Sequence, residues 1–371
     1  MEFNRTELMP GVFLSHLRSD KFKTACMSVT LLTQLRRETA AMNAVIPFVL
    51  RRGTTRYSDM EQLSRRMDEL YGAAVEPVVR RIGEIQCIGF YGSFPEPDYL
   101  PGGEALLGDT CALMAQLLLD PVTRGGLLLP QYVDSEREKL LDIIRSRMND
   151  KRSYALTRCI EEMCCYEDFA VSRFGSESEA ENIHYKKLTR HYRELIQTCP
   201  VEIFYCGKTD FKAVSAAMRD AFSAMPRGEI DYDIGTDLRM NAVEDHVRFV
   251  EEEMDVTQGK LVLGFRLGEC MEEPDIPALY VFNAVYGSGA TSKLFMNVRE
   301  KLSLCYYASS AVEKYKGLML VSSGIEFGAY QVAKDAILQQ LTARLQSEFA
   351  AWSGRAAQAA AKAASNTAGA A

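Results

Sequence analysis

Histidine is scarce in this 371-residue chain: His16, His184, His191 and His246 are the only four, and no two stand four residues apart. A helix-borne zinc site with two imidazoles on one face needs that spacing, so this kind of centre is excluded. Apolar runs of the roughly 18 residues that span a bilayer are also missing. The opening residues 1–7 carry no apolar core of a secretory signal. Both absences lead to the expectation of a cytoplasmic protein with no membrane contact. Basic residues are not clustered; 43 Lys and Arg against 50 Asp and Glu give a net charge of −7 with the signs well mixed. Without a basic stripe to neutralise phosphates, nucleic acid is not an expected partner. Among the ten cysteines (Cys26, Cys87, Cys111, Cys159, Cys164, Cys165, Cys199, Cys206, Cys270 and Cys305) there is no C-x-x-C pair, and most have apolar neighbours. They read as buried thiols in a reducing compartment, with no electropositive, exposed setting that would argue for a redox role.

What is present is the balance of a globular protein, 47% hydrophobic and 25% charged residues, in a chain long enough for two domains. Residues 11–35 alternate as strands around a polar turn at 18–23, and Ala41 to Leu50 reads as a buried helix. Ser58-x-x-Glu61 predicts a capping box for an amphipathic helix (Met60, Leu63, Met67, Leu70) that Gly72 closes. Strands resume over 73–94 with a turn at Gly83. Residues 104–165 are helical, broken at Asp120-Pro121 and Gly125-Gly126. A helix over 183–196 follows, in which His184 and His191 are expected at the surface. Next come a strand over 201–206 and a helix that Asp210 caps, running to Met225.

The polar stretch 226–246, with Pro226, Gly228 and Gly235, is the expected interdomain linker. Beyond it the order begins again: strand (261–267), apolar helix (276–286), polar loop, amphipathic helix (292–302), strands (305–311 and 318–323) and helix (330–345). The expectation is an α+β tandem of two similar domains, over 1–225 and 247–349, each a mostly antiparallel sheet packed by helices. The second copy is incomplete, lacking the later helix, strand and helix of the first. Residues 350–371, more than half alanine, are expected to be disordered and suggest a truncated or frame-shifted end.

The stretch Asn283-Ala-Val-Tyr-Gly-Ser-Gly-Ala-Thr-Ser-Lys-Leu-Phe-Met-Asn-Val-Arg-Glu-Lys-Leu-Ser-Leu-Cys-Tyr-Tyr307 resembles the C-terminal domain of the insulinase/pitrilysin peptidase family. The family pattern there is a helix, a glycine-bearing loop, S-x-L-F, then R-E-x-x-x-L-x-Y. Asp255 to Phe265 looks like the family's entry strand, and Arg52-Gly-Thr54, the helix over 58–71 and Asn149-Asp-Lys-Arg-Ser-Tyr-Ala155 are similar to a bacterial branch of it. The resemblance implies a mitochondrial processing peptidase-like fold over roughly residues 10–345. Active members carry H-x-x-E-H shortly before the G-T, and here those three positions fall on Ala44, Pro47 and Phe48. A later glutamate ligand falls on Ile143. A methyl group, a pyrrolidine ring and a phenyl ring offer zinc no lone pair and water no base.

The same resemblance implies that Arg299 and Tyr306 are the pair with which the C-terminal domain steadies the charge on a scissile carbonyl. Neither donor titrates near neutral pH. Adjacent strand residues face opposite ways, so only one of Tyr306 and Tyr307 can take that role. Against it stand plainer readings, a solvated arginine on a helix and a half-buried strand tyrosine. Gly287 and Gly289 would bind substrate from a flexible loop, or merely turn the chain with positive φ; no G-K-[ST] follows to make a phosphate loop. The implied function is the non-catalytic subunit of a heterodimeric zinc peptidase. The chain would hold no cofactor, the zinc would sit in a homologous partner bearing H-x-x-E-H, and the substrate would be a peptide or unfolded polypeptide. The rival is a structural or peptide-binding scaffold of the same fold. A zinc peptidase acting alone would need ligands the sequence does not display.

Overall fold

The computed structural model describes residues 2–239, 246–268 and 275–341. Cys270, the alanine-rich tail, part of the linker stretch and the end of the last predicted helix lie outside them. Two compact units account for the chain: residues 1–147 with 164–237, and residues 148–163 with 238–371.

The first unit contains β1 (Glu2–Met9), β2 (Val12–Arg18), β3 (Thr24–Gln34), α1 (Ala40–Leu50), α2 (Met60–Glu69), β4 (Ala74–Ile82) and β5 (Ile85–Pro95). Then come α3 (Leu107–Leu119), the short pair β6 (Thr123–Arg124) and β7 (Leu127–Leu128), and α4 (Pro130–Ser146). Helix α5 (Lys151–Met163) belongs to the second unit, and α6 (Glu177–Glu181), α7 (Tyr185–Thr198), β8 (Val201–Gly207) and α8 (Phe211–Phe222) complete the first. Its six-stranded sheet has the order β1-β2-β8-β3-β5-β4, and only the β2/β8 pair is parallel. Period-two alternation puts Ala25, Met27, Val29 and Leu31 of β3 in the core with Val201, Ile203 and Tyr205 of β8. Helix α1 is buried nearly all round and packs on α4, α7 and β5.

The second unit adds to α5 the strand β9 (Gly259–Arg266), α9 (Ile276–Asn283), β10 (Cys305–Glu313), β11 (Leu318–Ile325) and α10 (Tyr330–Leu341). Its antiparallel sheet runs β10-β11-β9. That is the order β4-β5-β3 in the first unit, reached through the same succession of strand, apolar helix, second helix, hairpin and helix. The tandem is therefore visible in the topology, with three strands described in the second copy's sheet against six in the main sheet of the first.

Several expectations need amendment. Residues 148–163, assigned to the first domain, group with the second unit because α5 packs on β9. Glycine at 264 leaves room for Met163 and Cys159, and Arg266 donates to the Met163 carbonyl at 2.8 Å. Residues 226–237, read as linker, are tied into the first unit: Arg227 donates to the carbonyls of Pro10 (3.0 Å), Ile196 and Cys199 (2.5 Å). Helix α2 is capped by Asp59, which accepts from Gln62 N–H, rather than by Ser58. Strand β1 went unread. His184 is exposed, but His191 is half-buried and bonded to the core.

Candidate functional site

Positions 44, 47 and 48 lie on α1, whose Ala44 is wholly buried, while Ile143 lies on α4. Pro47 sits inside the helix, where it removes one backbone hydrogen bond without breaking the helix. None of the four side chains carries a metal-binding atom. The described residues contain no group of three His, Cys, Asp or Glu side chains placed to hold a metal. The donor set does not fit zinc.

Polar groups beside this segment are instead consumed by the fold. Asn43, fully buried, donates from Nδ2 to Gln86 Oε1 at 2.8 Å, and its Oδ1 lies 2.6 Å from His191 Nε2. Gln86 Nε2 donates to the carbonyls of Ala40 and Arg173 at 3.0 and 2.7 Å. With the amide orientations fixed in this way, Asn43 Oδ1 can only accept, so His191 carries its proton on Nε2. Burial pushes the His191 imidazole below its ordinary pKa, with Glu194 pulling the other way.

Arg52-Gly-Thr54 is a structural knot. Arg52 Nε donates to Glu136 Oε1 at 2.5 Å and Arg52 Nη2 to Ser135 Oγ at 2.7 Å. Glu136 is nearly buried and also takes Lys139 Nζ at 2.9 Å, so this α4 carboxylate is neutralised by two cations. A Cβ at Gly53 would lie 2.7 Å from the Ser58 carbonyl oxygen, and the buried Thr54 accepts from Tyr57 N–H at 2.9 Å.

The C-terminal candidates lie on a different kind of scaffold. Residues Leu294–Lys301 form π-helical turns, in which Leu302 N–H reaches back five residues to the Asn297 carbonyl. Arg299 extends over the Phe295 ring at 4.4 Å and lies 3.4 Å from Glu300, with its side chain 38% exposed. Tyr306 is the extra residue of a β-bulge. Cys305 pairs with Ile325 and Tyr307 with Gly324, so two steps on β10 face one on β11. Tyr306 is 63% exposed.

Tyr307 is the opposite case. The Arg152 guanidinium covers its ring at 4.2 Å, Ser322 Oγ lies 3.3 Å from its hydroxyl, and its ring fills the space a side chain at 324 would occupy. Of the two tyrosines, Tyr306 is the one with a free phenol. Burial pushes the Cys305 thiol up, opposed by its bond with Ser323 and by the Arg299 charge.

Gly287 and Gly289 part company. Gly287 is buried in a π-helical turn (Ala284–Ser288), where a Cβ would lie 2.5 Å from Ser310 Oγ. Gly289 faces open space. Neither has positive φ, so the plainer of the two readings, a turn glycine in the left-handed region, does not apply to either. Sequence reading missed Arg152, whose motif was visible but whose role needs Tyr307 beside it. It also missed the bulge, which no composition signals. No helix among the described residues is long and apolar enough to cross a membrane.

The family described as Peptidase M16 inactive domain matches residues 182–360. A probable inactive metalloprotease of Bacillus subtilis (strain 168), YmfF, is 33% identical over 349 residues, covering 93% of this chain and 80% of the relative. Among solved structures, a conserved protein from Enterococcus faecalis V583 superposes with a TM-score of 0.82 at 24% identity, over 91% of this chain and 79% of that one. A peptidase M16 inactive domain from Pseudomonas fluorescens does so with 0.73 at 13% identity, over 92% and 79%. These two likenesses show the fold.

Proposed function

Because the chain belongs to the M16 peptidase family, we propose that it is the non-catalytic half of a heterodimeric zinc peptidase, working with a homologous chain that bears H-x-x-E-H. The observation that carries this reading is the contrast between its two halves. At the metal-ligand positions every side chain is inert. On the second unit, Arg299 is held over Phe295 and Tyr306 is presented by a bulge with its phenol free. A guanidinium and a phenol are hydrogen-bond donors suited to the charge that develops on a peptide carbonyl as it is attacked. Peptide or unfolded polypeptide is the substrate class, Gly289 lies open beside the π-helical turns, and the zinc belongs to the partner.

The rival reading, a scaffold without a part in hydrolysis, gives no reason for an exposed tyrosine on a bulge or for an arginine held over Phe295. Co-purification with an H-x-x-E-H homologue and a peptide-cleavage assay separates the two. Loss of one oxyanion donor costs about 10²-fold in turnover, so Arg299→Ala and Tyr306→Phe should each slow a competent pair on that order. Cleavage indifferent to both substitutions refutes the catalytic contribution.

A further inference from the structure

Two thiols that stand 180 positions apart in sequence face each other across the first unit's sheet. In the antiparallel β3/β8 pair, Cys26 is the direct partner of Cys206. Both are half-buried and neither is in a disulfide. Residues directly opposite in an antiparallel pair project from the same face of the sheet, so the two thiols share a face. Leu32 N–H bonds to the Pro200 carbonyl, its own partner in the ladder. Counting down the ladder by twos from that pair makes Cys26/Cys206 a hydrogen-bonded pair as well. Such pairs hold their Cα atoms about 5.5 Å apart, inside the range of roughly 4.4–6.8 Å that a disulfide bridges.

We propose that Cys26 and Cys206 are a reversible dithiol/disulfide site that clips β8 to β3 under oxidation. The co-reactant is a low-molecular-weight disulfide. One thiolate attacks it, forming a mixed disulfide and releasing one small thiol. The facing thiolate then attacks the protein-bound sulfur and expels the second. Two S–H groups become one S–S bond, two electrons pass to the small disulfide, and two small thiols leave with the protons.

Directly opposite residues at a hydrogen-bonded site have Cβ atoms about 5 Å apart, against the roughly 3.5–4.5 Å a relaxed disulfide adopts. The strands must close slightly, which makes the bond one that reductants reopen readily. Nothing along the chain singles out the pair, because the two cysteines are far apart in sequence.

The test treats the whole native chain with oxidised glutathione, traps remaining thiols with an alkylating agent, and maps peptides without reduction. The expected result is a Cys26–Cys206 linked peptide and the loss of two of the ten thiols, both recovered with dithiothreitol. In Cys26→Ser the link is replaced by a glutathione adduct on Cys206. Wild-type chain in which the exposed Cys165 becomes modified while Cys26 and Cys206 are alkylated freely, or carry separate glutathione adducts, overturns the proposal.

Discussion

Replacing Asn43 with alanine is expected to destabilise the first unit sharply, because the residue is the centre of a closed polar network in a dry place. Asn43 and Gln86 are both fully buried, and the oxygen and nitrogen of each amide are engaged, with each other, with His191 and with two backbone carbonyls. Alanine at 43 leaves Gln86 Oε1 and the His191 Nε2–H without partners. Each unsatisfied buried group costs about 1–3 kcal/mol; the fully enclosed Gln86 Oε1 bears that cost, while the half-buried His191 can turn to water, so the expected loss is about 1–3 kcal/mol. Total stabilities are about 5–15 kcal/mol, which makes this a loss that urea denaturation reads without difficulty. The His191→Ala variant should forfeit part of the same energy. A double-mutant cycle should then show a coupling well beyond the roughly 0.3–0.5 kcal/mol within which independent sites add. An Asn43→Ala loss under about 1 kcal/mol, where the arithmetic from unpaired groups begins, would refute the reasoning, as would additivity of the two changes. Either would mean that water, rather than the protein, satisfies these groups.

His191 also predicts a pH dependence. Its folded pKa lies below the unfolded value, so below about pH 6.5 the unfolded chain binds more protons than the folded one. The contribution is complete above that pH and is lost as pH falls, by at most about 1.4 kcal/mol per pH unit. His191→Gln, which keeps a donor to Asn43, should flatten the urea midpoint between pH 7.5 and 5.5 relative to wild type; an unchanged slope contradicts this. Gly53→Ala drives a methyl into the Ser58 backbone at 2.7 Å and should cost about 1–3 kcal/mol as an overpacked site; a melting temperature equal to wild type would show that the Arg52-Gly-Thr54 knot yields. The purified chain, dialysed after zinc exposure, should hold zinc far below one equivalent, and a chelator should not shift its melting temperature. A stoichiometric, chelator-sensitive ion would show ligands other than those at positions 44, 47, 48 and 143.

Much of the fold was legible in the sequence because its signals are local. Period-two alternation over β2 and β3, Gly83 with its positive φ between β4 and β5, and Asp210 accepting from Ala213 at the start of α8 each depend on residues a few positions apart. The repetition of element order announced the tandem, and the apolar side chains at 44, 47 and 48 ruled out the family's zinc ligands there. Other features were set by partners far along the chain. Helix α5 joins the second unit because Gly264 and Arg266 receive it, and residues 226–237 hold to the first because Arg227 finds carbonyls at 10, 196 and 199. Adjacent tyrosines were equivalent in sequence. A bulge opposite Gly324 and a guanidinium from α5 left Tyr306 free and fixed Tyr307. Sequence spacing thus determined which chemistry this chain lacks. Only tertiary structure decided which donors remain unspent, since hydrogen bonds and ring contacts are made by whatever the folded chain brings within a few ångströms.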